Sequence, residues 1–345
     1  RKVRAMESKR ILIFNVNWLG DVVFSTAVIR NIRYNFPDSF IACIVPGRCA
    51  QVLQGNPYLN EIILFDERAT HRSIFSRLKF IGLLRQKRFD TVFLLHKSLS
   101  RAFMAWAAGI PERIGYDTKK RGFLLTRKII PPTETGLHRA EYYLALLEKC
   151  GLKVKDRFAD FTVSAQDTRT VDVFLVSHAI DKSRFLIGIN PGGNWFPKRW
   201  QKEYFALLAD QLIDEFGATV LITGSLQDNA LAQDIQALMR KKAFSCCGVF
   251  DLKQFAALSM KLDLFITADS GPLHIAHAVH TKNIIALFGP THPSLTGPYP
   301  PEGVIFLQKD VGCKIPCYIV DCPDNRCMKA ITPEDVIERV RAIRG

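Results

Sequence analysis

Polar residues stand at four places where a buried strand pattern runs into a helix pattern, and these are the positions from which the chain could do chemistry. The four turns read "NWLGD" (17–21), "NPGGNWFPKRW" (190–200), "TGSLQD" (223–228) and "ADSGPLH" (268–274). A buried parallel sheet needs no polar residues, but its ligands bind at the carboxyl ends of the strands, beside helix N-termini. The four turns are therefore the candidate site.

The turn "ADSGPLH" has the pattern of an anion site. Asp269 or Ser270 can cap the following helix, and Pro272 suits its first turn. The free amides at a helix N-terminus attract anions, of which a diphosphate is a common one in α/β folds. Gly271 opens this turn and His274 adds a donor in it. A well-capped helix with a surface histidine is the alternative interpretation, but the glycine turns elsewhere in the same half favour phosphate binding.

Two further turns of the second half carry groups suited to a nucleotide. Lys198 is a mobile point charge that can neutralise a leaving phosphate, although most lysines on loops are simply solvated. In the other turn, Asp228 can accept from a ribose hydroxyl or can stand in a first helical turn because the helix dipole favours an acid there. We assign Thr223, Gly224 and Ser225 of the same turn to the predicted nucleotide-sugar site.

Asp21 is the single acid of the first turn. It has two interpretations: an N-cap of the helix that follows, or a general base at the ligand-binding edge of the first sheet. Gly20 permits a tight turn before it, and the predicted phosphate turns belong to a second domain that would face it across a cleft. These surroundings favour the general base, and a helix N-terminus would keep the carboxylate ionised.

Basic groups of the first half are candidates for clamping an anionic acceptor. The preferred ones follow a strand end or open a helix, and with Gly20 they form the predicted acceptor site: Lys97, Arg101, His138 and Arg139. His96, Lys119, Lys120 and Arg121 lie near strand ends as well. A solvated face is the alternative for most of them.

The charge of the chain supports an acidic partner for the first half. The net charge is +14 over 345 residues, and residues 1–160 hold 28 Lys and Arg against 14 Asp and Glu, while residues 161–345 hold 19 of each. Such a half attracts nucleic acid, an anionic membrane face or a phosphorylated ligand, and a surface that serves only solubility is the alternative. The absence of aromatic and basic interleaving or a recognition-helix pattern argues against nucleic acid.

Composition indicates a globular chain long enough for two domains. The hydrophobic fraction is 48%, and no apolar stretch approaches the roughly 18 uncharged residues of a membrane span. The basic start, Arg1 to Arg10, leads into a strand pattern without a cleavage signature, so we expect no signal peptide; Met6 can be a start residue.

Cysteine spacing does not define a metal site. Cys313, Cys317, Cys322 and Cys327 have the spacing C-x3-C-x4-C-x4-C, a poor match to zinc ribbons, so we expect no metal and interpret them as small residues of a tight loop. A metal site or pairing of the thiols under oxidation is the alternative interpretation. The other cysteines lie in apolar or mixed contexts, as buried thiols of a reducing compartment would: Cys43, Cys49, Cys150, Cys246 and Cys247. No G-x-G-x-x-G, Walker or G-x-S-x-G pattern occurs, and we expect no cofactor.

Strand and helix patterns alternate from end to end, which predicts an α/β chain with parallel sheets. Apolar runs predict strands, and the segments between them predict helices, in both halves. We expect two doubly wound domains, 1–165 and 166–345, with a polar joint near 161–182. The last helix begins with Thr332 as N-cap and Pro333 at its first position, and can pack back on the first domain.

Four stretches in order give the chain a family resemblance: "LGDVV…ST", "NPGGNWFPKRW", "ADSGPLHIAHAV" and "ALFGPTHPSLTGPY". Together they resemble the heptosyltransferase family (glycosyltransferase family 9), bacterial enzymes that build the inner core of lipopolysaccharide. The wording "NWLGD" and "FPKRW" is more similar to heptosyltransferase II than to heptosyltransferase I. The resemblance spans most of the chain.

The resemblance implies a GT-B architecture, two Rossmann-like domains with a cleft between them. It implies an inverting, metal-independent transfer of heptose from ADP-L-glycero-D-manno-heptose, without a cofactor, to a lipid A-core acceptor at the inner face of the bacterial inner membrane. On this resemblance Asp21 is the catalytic carboxylate and Lys198 binds phosphate. Asp269, Ser270, Gly271 and His274 form the nucleotide loop. Another nucleotide-sugar, a protein acceptor, a silent sugar-nucleotide sensor or a nucleic-acid-binding protein remain alternatives.

Overall fold

The computed structural model describes residues 9–132, 136–181 and 183–345 of the chain. Most of the basic N-terminal segment, including Met6, lies outside the described residues. The chain divides into two compact units, residues 1–162 and 163–345.

The first unit is built on one parallel sheet of six strands. The strand order is β3-β2-β1-β4-β5-β6, and every adjacent pair is parallel. The elements in chain order are β1 Arg10–Phe14, α1 Leu19–Asn35, β2 Phe40–Val45, α2 Ala50–Leu53, β3 Glu61–Leu64, α3 Ile74–Gln86, β4 Thr91–Leu94, α4 Leu99–Ala107, β5 Glu112–Tyr116, β6 Arg127–Ile129 and α5 Arg139–Lys149.

Apolar strands with helices on their faces explain this unit. Leu12 and Phe14 of β1 pack in one cluster with Phe80 and Leu84 of α3 and with Met104 of α4. Successive side chains of a strand point to opposite faces of the sheet. The buried side chains of β1 that alternate with Leu12 and Phe14 therefore pack against the helices on the other face. There α1 packs against α5.

The second unit repeats the same topology. Its sheet has the order β12-β11-β10-β7-β8-β9, again parallel throughout. The elements are α6 Ala165–Ser177, β7 Leu186–Asn190, α7 Lys202–Phe216, β8 Thr219–Ile222, α8 Asn229–Leu238, β9 Phe244–Ser245, α9 Leu252–Ser259, β10 Leu264–Ala268, α10 Gly271–Ala278, β11 Ile284–Leu287, α11 Pro293–Thr296, β12 Val304–Leu307, α12 Arg326–Lys329 and α13 Pro333–Arg344.

Both sheets have the strand order 3-2-1-4-5-6 when the strands are counted within each unit. This is the order of dinucleotide-binding Rossmann folds, in which ligands bind where the order reverses, outside the carboxyl ends of the first and fourth strands. The predicted α/β class with two Rossmann-like domains is confirmed. The reversal lies between β1 and β4 in the first unit and between β7 and β10 in the second.

At three places the structure differs from the interpretation of the sequence. The polar joint near 161–182 is largely the helix α6, which begins with a capping box of Ser164 and Asp167 and buries Val171 and Leu175. The boundary predicted between 165 and 166 therefore falls at the first residues of this helix. Asp21 is the third residue of α1, and the N-cap position belongs to Trp18. Helix α4, which the apolar stretch 99–107 obscured, was not predicted.

The predicted start of the last helix is confirmed. Thr332 caps α13 by accepting from the Asp335 amide, and Pro333 is the first helical residue. Val336, Ile337 and Val340 are fully buried against the second unit, where α13 packs on α7 and β12. Packing of α13 on the first unit stays a prediction.

Candidate active site

The carboxyl edge of the first sheet is organised by a buried arginine. Arg101, only 2% exposed, donates to the carbonyl of Asn15 (2.8 Å) and to Oδ1 of Asn17 (2.7 Å), so it joins α4 to the turn after β1. Glu67 lies 3.7 Å from the same guanidinium and partly balances its charge. Because burial dominates, the pKa of Arg101 falls to about 10, and the group stays cationic at neutral pH. This geometry favours a positioning role for Arg101.

Asp21 lies beside a phenol and a guanidinium. The hydroxyl of Tyr143 donates to Asp21 Oδ1 at 3.0 Å, and Nε of Arg139 is 3.7 Å from the same oxygen. Burial first, and then the Asp21 carboxylate, raise the pKa of Tyr143 well above its usual value, so this phenol remains a donor at any physiological pH. The Asp21 side chain is 18% exposed and is therefore held by its neighbours while still open to solvent.

Cations surround this carboxylate. The Lys97 ammonium lies 4.1 Å from the ring centre of Tyr142. Burial lowers the pKa of Lys97, and the neighbouring Arg139, Lys119 and Arg121 lower it further, whereas Asp21 opposes them. These side chains are thus close enough to interact electrostatically. An anionic ligand at this edge would relieve their mutual repulsion.

Two histidines of the first unit are scaffold groups. The pKa of His96 falls to about 3, mainly because of burial and then because Arg101, Arg121 and Lys119 are near. His138 is buried, and its Nδ1 accepts from the amide of Ala140 at 3.0 Å, which caps α5 directly before Arg139. Direct contact of Arg101 with an acceptor would require its bonds to Asn15 and Asn17 to be replaced.

Lys97 and Arg139 are the predicted acceptor residues with better access. The Arg139 side chain is 45% exposed and is held by α5, and Lys97 is only partly buried. Gly20 is the second residue of α1, directly before Asp21.

In the second unit, Lys198 and Asp269 form a tight ion pair. Nζ of Lys198 lies 2.6 Å from Oδ2 of Asp269, with the two side chains 20% and 4% exposed. The same oxygen accepts from the hydroxyls of Thr291 (2.6 Å) and Thr296 (3.2 Å). Asp269 therefore gathers three donors from two other loops at the carboxyl edge and fixes the position of the Lys198 ammonium.

The N-terminus of α10 adjoins this pair. Ser270 occupies the N-cap position, but in the described structure its hydroxyl makes no cap hydrogen bond, so the first-turn amides lack the usual side-chain acceptor. Nε2 of His274, a buried side chain in that turn, lies 3.8 Å from Oδ1 of Asp269. A free helix N-terminus beside a lysine is an arrangement suited to a phosphate group.

The turn after β8 is used mainly for folding. Oδ2 of Asp228 accepts from the amide (2.8 Å) and the hydroxyl (2.7 Å) of Ser225. A Cβ on Gly192 would come within 2.4 Å of Asp228 Oδ1, so the turns after β7 and β8 pack closely only because residue 192 is a glycine. Thr223 is buried, and its hydroxyl donates to the Ile189 carbonyl. The roles of Thr223, Gly224, Ser225 and Asp228 toward a nucleotide stay predictions.

Sequence reasoning missed Tyr143, Thr291 and Thr296. The two threonines follow β11, the strand next to β10, and the rule that carboxyl ends of adjacent parallel strands meet at one edge could have found them. No local pattern joins Tyr143 to Asp21, because 122 residues separate them.

The cysteine loop lies against one of these site loops. The amide of Cys317 donates to the Pro290 carbonyl at 2.7 Å, and a Cβ on Gly289 would come within 3.0 Å of the Cys327 sulfur. Within residues 9–132, 136–181 and 183–345, no group of three or more His, Cys, Asp or Glu is arranged to hold a metal ion. The five scattered cysteines are buried thiols, as predicted, and burial raises the pKa of Cys43 to about 12.

Two doubly wound sheets in one chain, each with polar groups at its point of strand-order reversal, are the GT-B architecture of glycosyltransferases. The family model described as glycosyltransferase family 9 (heptosyltransferase) matches residues 77–322. The chain therefore belongs to glycosyltransferase family 9, and it is a glycosyltransferase.

Relatives of known structure and name agree with this assignment. Lipopolysaccharide heptosyltransferase 2 of Escherichia coli is 30% identical over 302 residues, which cover 84% of this chain and 85% of that protein. A glycosyl transferase family 9 structure from Veillonella parvula superposes with a TM-score of 0.87 at 26% identity, covering 99% of this chain and 98% of the other. ADP-heptose LPS heptosyltransferase II of Escherichia coli gives 0.80 at 26% identity, with 97% and 98% covered. The predicted resemblance is confirmed.

Proposed function

We propose that this protein transfers L-glycero-D-manno-heptose from ADP-heptose to the inner core of lipopolysaccharide, with inversion and without a metal ion. The observation that carries the proposal is the pair of built sites, a carboxylate among cations in one unit and a lysine beside a helix N-terminus in the other. Relatives that are similar in sequence and structure are heptosyltransferases by name. The acceptor would be the anionic lipid A-core at the cytoplasmic face of the inner membrane of a Gram-negative bacterium.

In the proposed mechanism, Asp21 is the general base. It takes the proton of an acceptor hydroxyl while that oxygen attacks the anomeric carbon of the heptose from the face opposite ADP. Tyr143 and Arg139 hold the carboxylate by contacts to Oδ1. Arg139 and Lys97 supply positive charge for the phosphorylated, acidic acceptor.

The second unit stabilises the leaving group. Lys198 and the first-turn amides of α10 bind the diphosphate, whose negative charge grows as the glycosidic bond breaks. Asp269 holds Lys198 in place through its 2.6 Å contact, and Thr291 and Thr296 hold Asp269. His274 adds a donor from the first turn of α10.

Transfer assays with two adjacent tyrosine variants test the role of Asp21. Tyr143→Phe removes a hydrogen bond to the carboxylate and should lower kcat about tenfold to a hundredfold, since a hydrogen bond to a charged group is worth about 1.5–3 kcal/mol. Tyr142→Phe is the matched control: the Tyr142 hydroxyl is buried without a hydrogen-bond partner among the described residues, so kcat should stay within about twofold. Asp21→Ala should keep ADP binding and lose transfer at least about a hundredfold.

Four results would refute the proposal. Asp21→Ala could retain activity, or lose ADP binding and folding stability in parallel with activity. The two tyrosine variants could behave alike. A thermal-shift screen could show stabilisation by a UDP-sugar and none by ADP or ADP-heptose, which would overturn the donor.

A further inference from the structure

The outer side of the first unit carries an uncovered apolar surface. Helix α3 turns Phe80 and Leu84 to the sheet, yet Ile74, Phe75, Leu78 and Leu83 point away from it. Helices normally place polar residues on that side. None of the described helices is both long and apolar enough to cross a bilayer, so this surface is not part of a spanning segment.

Helix α4 extends the same surface. Leu99, Phe103 and Trp106 are spaced i, i+4 and i+7, so they form one stripe, and all three are exposed. The rings of Phe103 and Trp106 are in contact, with centres 5.6 Å apart and planes tilted by 40°. Because α3 and α4 pack side by side, their outward residues form a single surface, here called the α3–α4 surface, in which seven large apolar side chains are 41–74% exposed.

Positive charge accompanies the apolar residues. Residues 68–88, which include all of α3, contain seven Lys and Arg and no Asp or Glu. Lys79 lies within the exposed side of α3, and Arg72 lies just before the helix. Apolar and aromatic side chains among cations are the composition of helices that lie in the interface of an anionic bilayer. A protein partner with an ordinary surface would not require both features.

The α3–α4 surface also begins at the candidate acceptor site. Leu99 stands two residues after Lys97, and Glu67, in the loop before α3, contacts Arg101 at the carboxyl edge of the sheet. The N-terminal ends of α3 and α4 therefore lie at the same edge as Asp21. A lipid-anchored acceptor held by Lys97 and Arg139 would have its lipid beside this apolar surface.

We propose that the α3–α4 surface docks the protein on a bilayer containing anionic lipids, with its aromatic side chains in the interface and its cations at the phosphate groups. The α3–α4 surface would thus be the part of the protein that contacts the membrane named in the proposed function. The docking rests on the proposed function only for which membrane is bound.

Vesicle sedimentation tests the docking without donor or acceptor. The intact protein should bind vesicles of phosphatidylethanolamine and phosphatidylglycerol, bind phosphatidylcholine vesicles at least about tenfold more weakly, and lose affinity as salt rises. The double variant Phe75→Ser/Phe103→Ser should weaken binding roughly tenfold or more. Lys79→Gln should weaken it about fivefold on the anionic vesicles only, which corresponds to about 1 kcal/mol per cation at such a surface.

A matched control uses exposed apolar residues of the other unit. Val173 and Val176 on α6 are 69% and 72% exposed, and Val173→Ser/Val176→Ser should leave vesicle binding unchanged. Equal binding to both vesicle types, or equal effects of the two double variants, would overturn the proposal. So would a concentration-dependent dimer that Phe75→Ser/Phe103→Ser dissociates while no vesicles are bound, since the surface would then join two copies of the chain.

A transfer assay on detergent-solubilised acceptor separates this inference from the proposed function. A protein that binds anionic vesicles but transfers no heptose would refute the proposed function and leave the docking intact. A protein that transfers heptose in detergent but does not bind vesicles would refute the docking alone.

Discussion

The ion pair of Lys198 and Asp269 should be a main determinant of both stability and ADP binding in the second unit. The perturbation is Asp269→Asn, which keeps the size of the side chain and removes its charge. Three donors converge on Oδ2 of Asp269, from Lys198, Thr291 and Thr296. The variant leaves the Lys198 ammonium beside a neutral amide, in a place where water reaches only a fifth of its side chain.

The magnitude follows from burial. Removing one partner of a fully buried pair costs about 3–5 kcal/mol, whereas surface pairs contribute about 0–1 kcal/mol. With side chains 4% and 20% exposed, this pair lies nearer the buried limit, and we expect the free energy of unfolding to fall by about 2–3 kcal/mol. For a unit of this size that corresponds to roughly 5–10 °C in Tm.

Differential scanning calorimetry and ADP titration measure the two consequences. The matched control is the exposed pair of Lys202 and Asp234, with the same residue types at 2.8 Å and side chains 41% and 57% exposed. Asp234→Asn should change the free energy of unfolding by less than about 1 kcal/mol and leave ADP affinity unchanged. Asp269→Asn should weaken ADP binding roughly tenfold, because Lys198 loses the contact that positions it.

Two results would refute this reasoning. If both variants destabilise the protein equally, burial does not govern the strength of the pair. If Asp269→Asn binds ADP more tightly than the original protein, Asp269 competes with the diphosphate for Lys198 and does not position it.

Two further predictions concern a glycine and a buried histidine. Gly192→Ala should lower the free energy of unfolding by about 1–3 kcal/mol, since the new Cβ would overlap the Asp228 carboxylate. Gly193→Ala is the control: its Cβ meets no heavy atom within 4 Å among the described residues, so it should change that free energy by less than about 1 kcal/mol. Urea titration of the two variants compares them. The pKa of buried His277 falls to about 4, chiefly through burial and then through His280, so below pH 6.5 the unfolded chain binds this proton more readily than the folded one. The free energy of unfolding should drop by about 1–2 kcal/mol per such histidine from pH 7 to 5, and His277→Gln should flatten that drop; unchanged pH dependence would refute it.

Local sequence patterns predicted much of the fold. Apolar runs bounded by helix patterns predicted the alternation of strands and helices in both units, because a buried parallel strand must be apolar on both faces. The same patterns placed the polar turns at the carboxyl ends of the strands. The helix α6 was missed because only three of its residues are buried and many of the others are polar. Its capping box consists of Ser164 and Asp167, residue types that are also common in loops.

The sequence by itself determined the α/β class, the family and the unequal distribution of charge, since each depends only on which residues are present and how they are spaced. Tertiary structure alone decided the strand order and the use of each polar group. Arg101 and His138 have the residue types of ligand-binding groups, but packing turns both toward backbone and side-chain partners within their own unit. Asp21 meets Tyr143, and Asp269 meets Thr291, only because parallel strands and their helices bring distant segments to one edge. Hydrogen bonds of that kind depend on distance in space, which spacing along the chain does not encode.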